Sequence, residues 1–199
     1  MSWRNRPGGF SIIVVALVLT AFGLTARAQK APAPAQKGPA AAQKGPAVVS
    51  VATLQTLAPV LDGWTRAPLG GSVVPISEES GYSYAEANYT NGDMKVKLTI
   101  GDTVGVDDCL LALAAMVTVL PAGYSEKLPP ATSISRFEFS GYQAASKWNS
   151  EKTEGEFSVV VNGRFVVKAE GTKIDSVDTL RDIVSKIDLK KLSELKPGK

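Results

Sequence analysis

The chain has no histidine and one cysteine among its 199 residues, and each scarcity removes a class of chemistry. Without histidine the commonest general base is missing, which excludes Ser-His and Cys-His catalytic pairs and every zinc site that uses imidazole. The lone Cys109 excludes an internal disulfide framework and any multi-cysteine metal or iron–sulfur centre. Gly70-Gly71 and Gly101 to Gly105 lack the spacing of a Walker A loop or a dinucleotide fingerprint, and no G-x-S-x-G elbow occurs. Ser193-Glu194-Leu195-Lys196 has the S-x-x-K spacing of serine–lysine acylases. Its companion motifs are absent, since Lys152-Thr153 is followed by Glu154, so the match is a coincidence of spacing.

What is present begins with an address. After Arg4 and Arg6, the stretch Phe10 to Leu24 carries no charge, and Ala26-Arg27-Ala28 supplies a small-x-small pattern. The three parts read as a secretory signal peptide over residues 1–28, cut between Ala28 and Gln29. The apolar run is short for a spanning helix, which needs about 20 residues. An uncleaved helix anchored in the inner membrane is the alternative, with Thr25 to Ala28 extending the span. No cysteine lies near the cut and the arginines are not adjacent, so neither a lipoprotein anchor nor the twin-arginine route is expected. The expected location is therefore outside the inner membrane, in the periplasm or beyond the cell.

Residues 29–48 read as a linker. Ala28-Gln29-Lys30-Ala31-Pro32-Ala33, Ala35-Gln36-Lys37-Gly38-Pro39-Ala40 and Ala42-Gln43-Lys44-Gly45-Pro46-Ala47 form three copies of one motif at a seven-residue step. Each copy carries a proline and no large apolar residue, so the step is not a coiled-coil heptad and nothing repays the entropy of ordering. Residues 1–47 together hold six basic groups and no acidic one. From residue 48 onward there are 16 Lys and Arg against 19 Asp and Glu, a net of −3. A mildly acidic domain without a dense basic cluster argues against nucleic acid as a partner.

Residues 49–199 read as one domain. Ser50 caps a short helix carrying Val51, Leu54, Leu57 and Ala58, which Pro59 ends. Ser72 to Ser77 reads as an edge strand because Pro75 cannot donate to a ladder. Tyr82 to Tyr89 and Met94 to Ile100 flank Thr90-Asn91-Gly92-Asp93, a hairpin signal. In the second strand Met94, Val96, Leu98 and Ile100 point one way, with Lys95, Lys97 and Thr99 opposite. Cys109 to Leu120 reads as a buried helix with Asp107 and Asp108 in its first turn, and Ala122 to Ser133 as a long loop. Ile134 to Phe139, Tyr142 to Trp148, Glu156 to Val161 and Arg164 to Ala169 read as strands, with hairpins at Ser140-Gly141 and Asn162-Gly163. A closing helix places Val177, Leu180, Ile183, Val184 and Ile187 on one face, and Leu189, Leu192 and Leu195 extend it. Tight turns force antiparallel pairing, so the expected fold is α+β: a single, mainly antiparallel sheet of five to seven strands with two to three helices packed on it.

That element order is similar to Mog1/PsbP-like α+β domains. The pattern Gly63-Trp64, Leu98-Thr99-Ile100-x-Asp102, Arg164-Phe165-x-Val167 and Ile187-Asp188-Leu189-x-x-Leu192 also resembles one shared by uncharacterised exported bacterial proteins. Its residues are packing and turn positions, and the resemblance implies no activity.

Few residues offer chemistry. Asp102, Asp107 and Asp108 form the one tight carboxylate cluster, whose oxygens suit Ca²⁺; helix-start electrostatics explain the last two as well. No other cofactor is expected. Trp64, Tyr82, Tyr84, Tyr142 and Trp148 are the candidates for a ligand-binding face, against the plainer reading of core and cross-strand aromatics. The expected function is a non-enzymatic binding or accessory domain of the cell envelope, with an envelope protein or small ligand as partner and membrane contact only through an uncleaved N-terminal segment. The alternatives are a His-free hydrolase using carboxylates and a structural envelope component.

Overall fold

The computed structural model describes residues 47–77, 79–104, 110 and 114–196. The segment read as a signal peptide and the linker up to residue 46 lie outside the described residues, as do Asp107, Asp108 and Cys109. No helix among the described residues is long and apolar enough to cross a membrane.

The elements, in chain order, are α1 (Val51–Gln55), β1 (Thr65–Arg66), β2 (Gly70–Pro75), β3 (Gly81–Asn91), β4 (Met94–Val104), α2 (Ala115–Val119), β5 (Ser125–Leu128), β6 (Thr132–Phe139), β7 (Tyr142–Asn149), β8 (Glu154–Val161), β9 (Phe165–Thr172), α3 (Val177–Ser185) and α4 (Leu189–Ser193). All nine strands join one antiparallel sheet in the order β1-β3-β4-β9-β8-β7-β6-β5, with β2 following β1 along the outer side of β3. The expectation of five to seven strands and two to three helices is therefore wrong. The protein is sheet-dominated, with nine strands and four short helices among the described residues.

The miscounts have local causes. β5 is exposed on both faces, so the stretch read as a loop carries no hydrophobic alternation to betray a strand. β1 is two residues long and exists only because β3 offers it an edge. The helix expected over Cys109 to Leu120 is, among the described residues of its later half, only Ala115–Val119. The closing helix ends at Ser185, and Leu189–Ser193 starts afresh where the Asp188 carboxylate accepts from Lys191 N–H at 2.8 Å.

The tight turns fall where their residue types place them. Ser140 and Gly141 both have positive φ, 51° and 83°, and join β6 to β7 in a two-residue loop. Asn162 and Gly163, at 53° and 63°, also turn the chain between β8 and β9, but in a loop of three residues rather than the expected two. There Val161 pairs with Phe165, leaving Arg164 as the extra residue. Ser50 Oγ accepts from Thr53 N–H at 3.2 Å and caps α1 as expected.

Alternation sorts the side chains onto two faces. Ala85, Ala87, Tyr89, Val96, Leu98, Ile100, Phe157, Val159, Val167 and Ala169 point to one side, where α1, α3 and α4 bury them in the main core. Phe157 is its centre, flanked by Phe139 edge-on at 5.2 Å and Phe137 at 5.7 Å between ring centroids. A smaller cluster of Ala114, Val117, Ala145 and Val166 shows α2 lying on the opposite face. It covers only the end of that face near Val160 and Val166. Among the described residues no helix packs on the remainder.

Candidate functional site

The aromatic side chains singled out in the sequence do not converge. Trp64, Tyr142 and Trp148 lean on the main core from the helix-covered face. Tyr82 and Tyr84 lie on the other face, stacked on each other at 5.8 Å with planes 23° apart. A strand reverses facing at every residue, so Tyr82 and Tyr84 must oppose Ala85 and the core behind it. No single ligand can touch all five.

Asp102 is fully buried, at 0% exposure, and both of its oxygens are engaged. Arg164 donates Nε to Oδ1 at 2.6 Å and Nη2 to Oδ2 at 2.7 Å, and Val49 N–H donates to Oδ2 at 2.7 Å. Ser83 Oγ completes the hold on the entering chain by donating to Val49 C=O at 2.6 Å. The extra residue of the β8–β9 turn is what brings Arg164 over the end of β4, with its guanidinium 4.8 Å from the Phe165 ring centroid. Asp102 and Ser83 thus anchor Val49 to the paired strands β4 and β3. Among the described residues no group of three His, Cys, Asp or Glu side chains is placed to hold a metal ion.

The open half of the second face carries the most chemistry. Register sets Asn88, Lys97, Glu170, Glu156, Lys147 and Ile134 side by side across six strands. The next row reads Thr90, Lys95, Thr172, Glu154, Asn149 and Thr132. Together with Lys152, every member of these rows except Ile134 lines a groove of about 780 Å³, within the usual range for a small-molecule site. Its polar lining comes from Lys, Glu, Thr and Asn side chains.

Salt bridges tie down part of this surface. Lys168, only 17% exposed in its side chain, sits beneath the rows and meets Glu156 at 3.4 Å and Glu170 at 3.1 Å. Ser158 Oγ donates to Glu156 at 3.0 Å. Lys97 meets Glu86 at 2.8 Å, and Asn88 donates to the other Glu86 oxygen at 3.0 Å. The Lys97 hydrogen bond holds the Glu86 carboxyl below its usual range, with Asn88 adding to it; the same bond lifts Lys97 above its own. Lys95, Lys147 and Lys152 have no carboxylate within ion-pair distance among the described residues, and Glu154 has no cation. These four are the groove's uncommitted charges.

None of Trp64, Tyr82, Tyr84, Tyr142, Trp148 and Asp102 lines this groove. The signal that could have found it was the alternation in Lys95 and Lys97, repeated in Lys147 and Asn149, Glu154 and Glu156, and Lys168 and Glu170. Reading it as one site requires the pairing of β4 with β9, across about 70 residues, which local sequence does not reveal. Compared with protein-family models, curated proteins and solved structures, the chain matches none.

Proposed function

We propose that this protein is an exported binding domain of the cell envelope, and that the groove on the open half of its sheet takes a small hydroxylated anion such as a sugar acid or sugar phosphate. The observation that supports this reading is the set of three uncommitted lysines, Lys95, Lys147 and Lys152, facing a groove whose Glu156 and Glu170 are already shared by Lys168. A free ammonium beside a polar concavity is a ready point charge for a carboxylate or phosphate. Thr90, Thr132, Thr172 and Asn149 line the same space and offer hydrogen bonds suited to hydroxyl groups. The signal-like segment and the proline-bearing linker support export.

Thermal melting against sugar acids, sugar phosphates, citrate and inorganic phosphate tests the reading. A ligand at 100 times its dissociation constant adds about 2.7 kcal/mol and raises the midpoint of a domain this size by roughly 5–10 °C. Lys95→Ala combined with Lys147→Ala should abolish the shift and leave the unliganded midpoint within about 1 °C, since exposed lysines contribute little to stability. A panel without any shift, or a shift that survives both substitutions, overturns it.

A carboxylate hydrolase is supported by one observation, that Glu154, Glu156 and Glu170 face a common groove. Turnover of a glycoside by the purified chain, lost in Glu154→Gln, would replace binding with catalysis.

A further inference from the structure

The two edges of the sheet are built differently. β5 presents Glu126 and Lys127 in a strand that is exposed throughout, and charges on an edge discourage another strand from docking. β2 has no such guard: from Ala67 through Ser77 the chain carries no charged residue. Val73 and Ile76 on this edge are 43% and 55% exposed.

The backbone of β2 has a defined free side. Pro75 pairs with Gly81, and Ile76 N–H donates to Ser80 C=O at 3.0 Å. In an antiparallel ladder this makes Pro75–Gly81 a non-hydrogen-bonded pair, so Val74 and Ser72 turn their backbone groups toward β3. Gly71, Val73 and Pro75 turn theirs outward. No strand among the described residues pairs with that side, and Val73 C=O meets only the neighbouring Ser72 hydroxyl at 3.4 Å.

We propose that this edge pairs with the same edge of a second copy of the chain, antiparallel, about a two-fold axis at Val73. The choice of occupant follows from the donors and acceptors. The free side offers two N–H groups, on Gly71 and Val73, and three carbonyls, on Gly71, Val73 and Pro75. With the axis at Val73, the two Val73 residues exchange N–H and C=O, and each Gly71 N–H meets the Pro75 carbonyl of the other copy. Every free donor finds an acceptor, and the missing N–H of proline falls where the ladder ends. Because the segment is uncharged, self-pairing brings no like charges together, and the Val73 side chains meet on the helix-bearing face. The contact is isologous and closed. It continues the sheet across the axis, so the open grooves of both copies lie on one side.

Only a few residues of each copy take part, fewer than a standard stable interface uses, so the expected association is weak and concentration-dependent. Sedimentation velocity on the purified chain should show monomer and dimer exchanging as concentration rises to ~100 μM. Val73→Lys places two ammonium groups at the axis and should shift the chain to monomer at every concentration; Val73→Thr, which keeps the backbone pairing, should not. Circular dichroism and the melting midpoint of dilute Val73→Lys should match those of the parent, separating a lost contact from a lost fold. A parent chain that is monomeric throughout, or a dimer that survives Val73→Lys, overturns the proposal.

Discussion

Replacing Asp102 with alanine removes one member of an ion pair whose carboxylate is fully buried, and the structure sets the size of the consequence. Deleting one partner of a buried pair costs about 3–5 kcal/mol, because the other is left uncompensated. Here the orphan is Arg164, whose side chain is 28% exposed and can turn toward water, which puts the ionic part at the low end. The Val49 N–H loses its acceptor as well, for about 1–3 kcal/mol. A total of roughly 4 kcal/mol follows, and a domain this size converts that to a fall of about 8–16 °C in melting midpoint. Arg164→Met is expected to cost at least as much, since it strands a carboxylate of 0% exposure with Val49 N–H as its remaining donor. The double variant Asp102→Leu with Arg164→Met should recover much of the loss, because a buried pair exchanged for apolar residues of similar volume is often neutral. A double-mutant cycle by urea denaturation measures this coupling. Hydrogen exchange adds a local reading: in Asp102→Ala the Val49 amide should exchange faster while amides of β8 keep their order. Single variants that cost under about 1 kcal/mol, or a double variant equal to the sum of its singles, would refute the reasoning.

Other expectations concern single positions. Tyr89 is buried with its hydroxyl donating to Pro59 C=O at 2.8 Å, and burial pushes its phenol above the usual range. Its neutral form therefore adds stability below the ordinary tyrosine value of about 10, lost as pH rises through the higher folded value; alkaline absorbance titration should show one tyrosine ionising together with unfolding. The depressed Glu86 makes the opposite contribution, present above its ordinary carboxylate value and lost as pH falls through the folded one. Because Lys97 is nearly half exposed, Lys97→Ala should change stability by under about 1 kcal/mol, with the difference from the parent shrinking in acid. A Cβ at Gly171 would stand 2.7 Å from Ile174 Cδ1 and 2.9 Å from Leu180 Cδ2, so Gly171→Ala should cost about 1–3 kcal/mol by denaturation, partly relieved by Ile174→Val.

Much of the local architecture was legible because it depends on neighbours in the chain. Ser140-Gly141 and Asn162-Gly163 tolerate positive φ, and hairpins stand at both. The 3.6-residue spacing of Leu180, Ile183 and Val184 marked the face that α3 buries. Alternation in β4 already divided Val96, Leu98 and Ile100 from Lys95 and Lys97. β5 escaped because an edge strand with neither face buried needs no alternation, and the aromatic candidates misled because residue type does not state which face a strand turns to a core.

Steric preferences of the backbone and the periodicity of apolar residues act over a few positions, so they already place the hairpins, the facing of β4, the cap of α1 and the buried face of α3, and composition excludes imidazole chemistry. The tertiary structure alone decided what depends on segments far apart. Asp102 meets Arg164 only because β4 pairs with β9 and the β8–β9 turn carries one extra residue. Lys147 and Lys95 share a groove only because β9 and β8 lie between their strands in register. Pairing across such separations is set by how two buried faces fit together, and that fit is a property of the assembled sheet rather than of any segment in it.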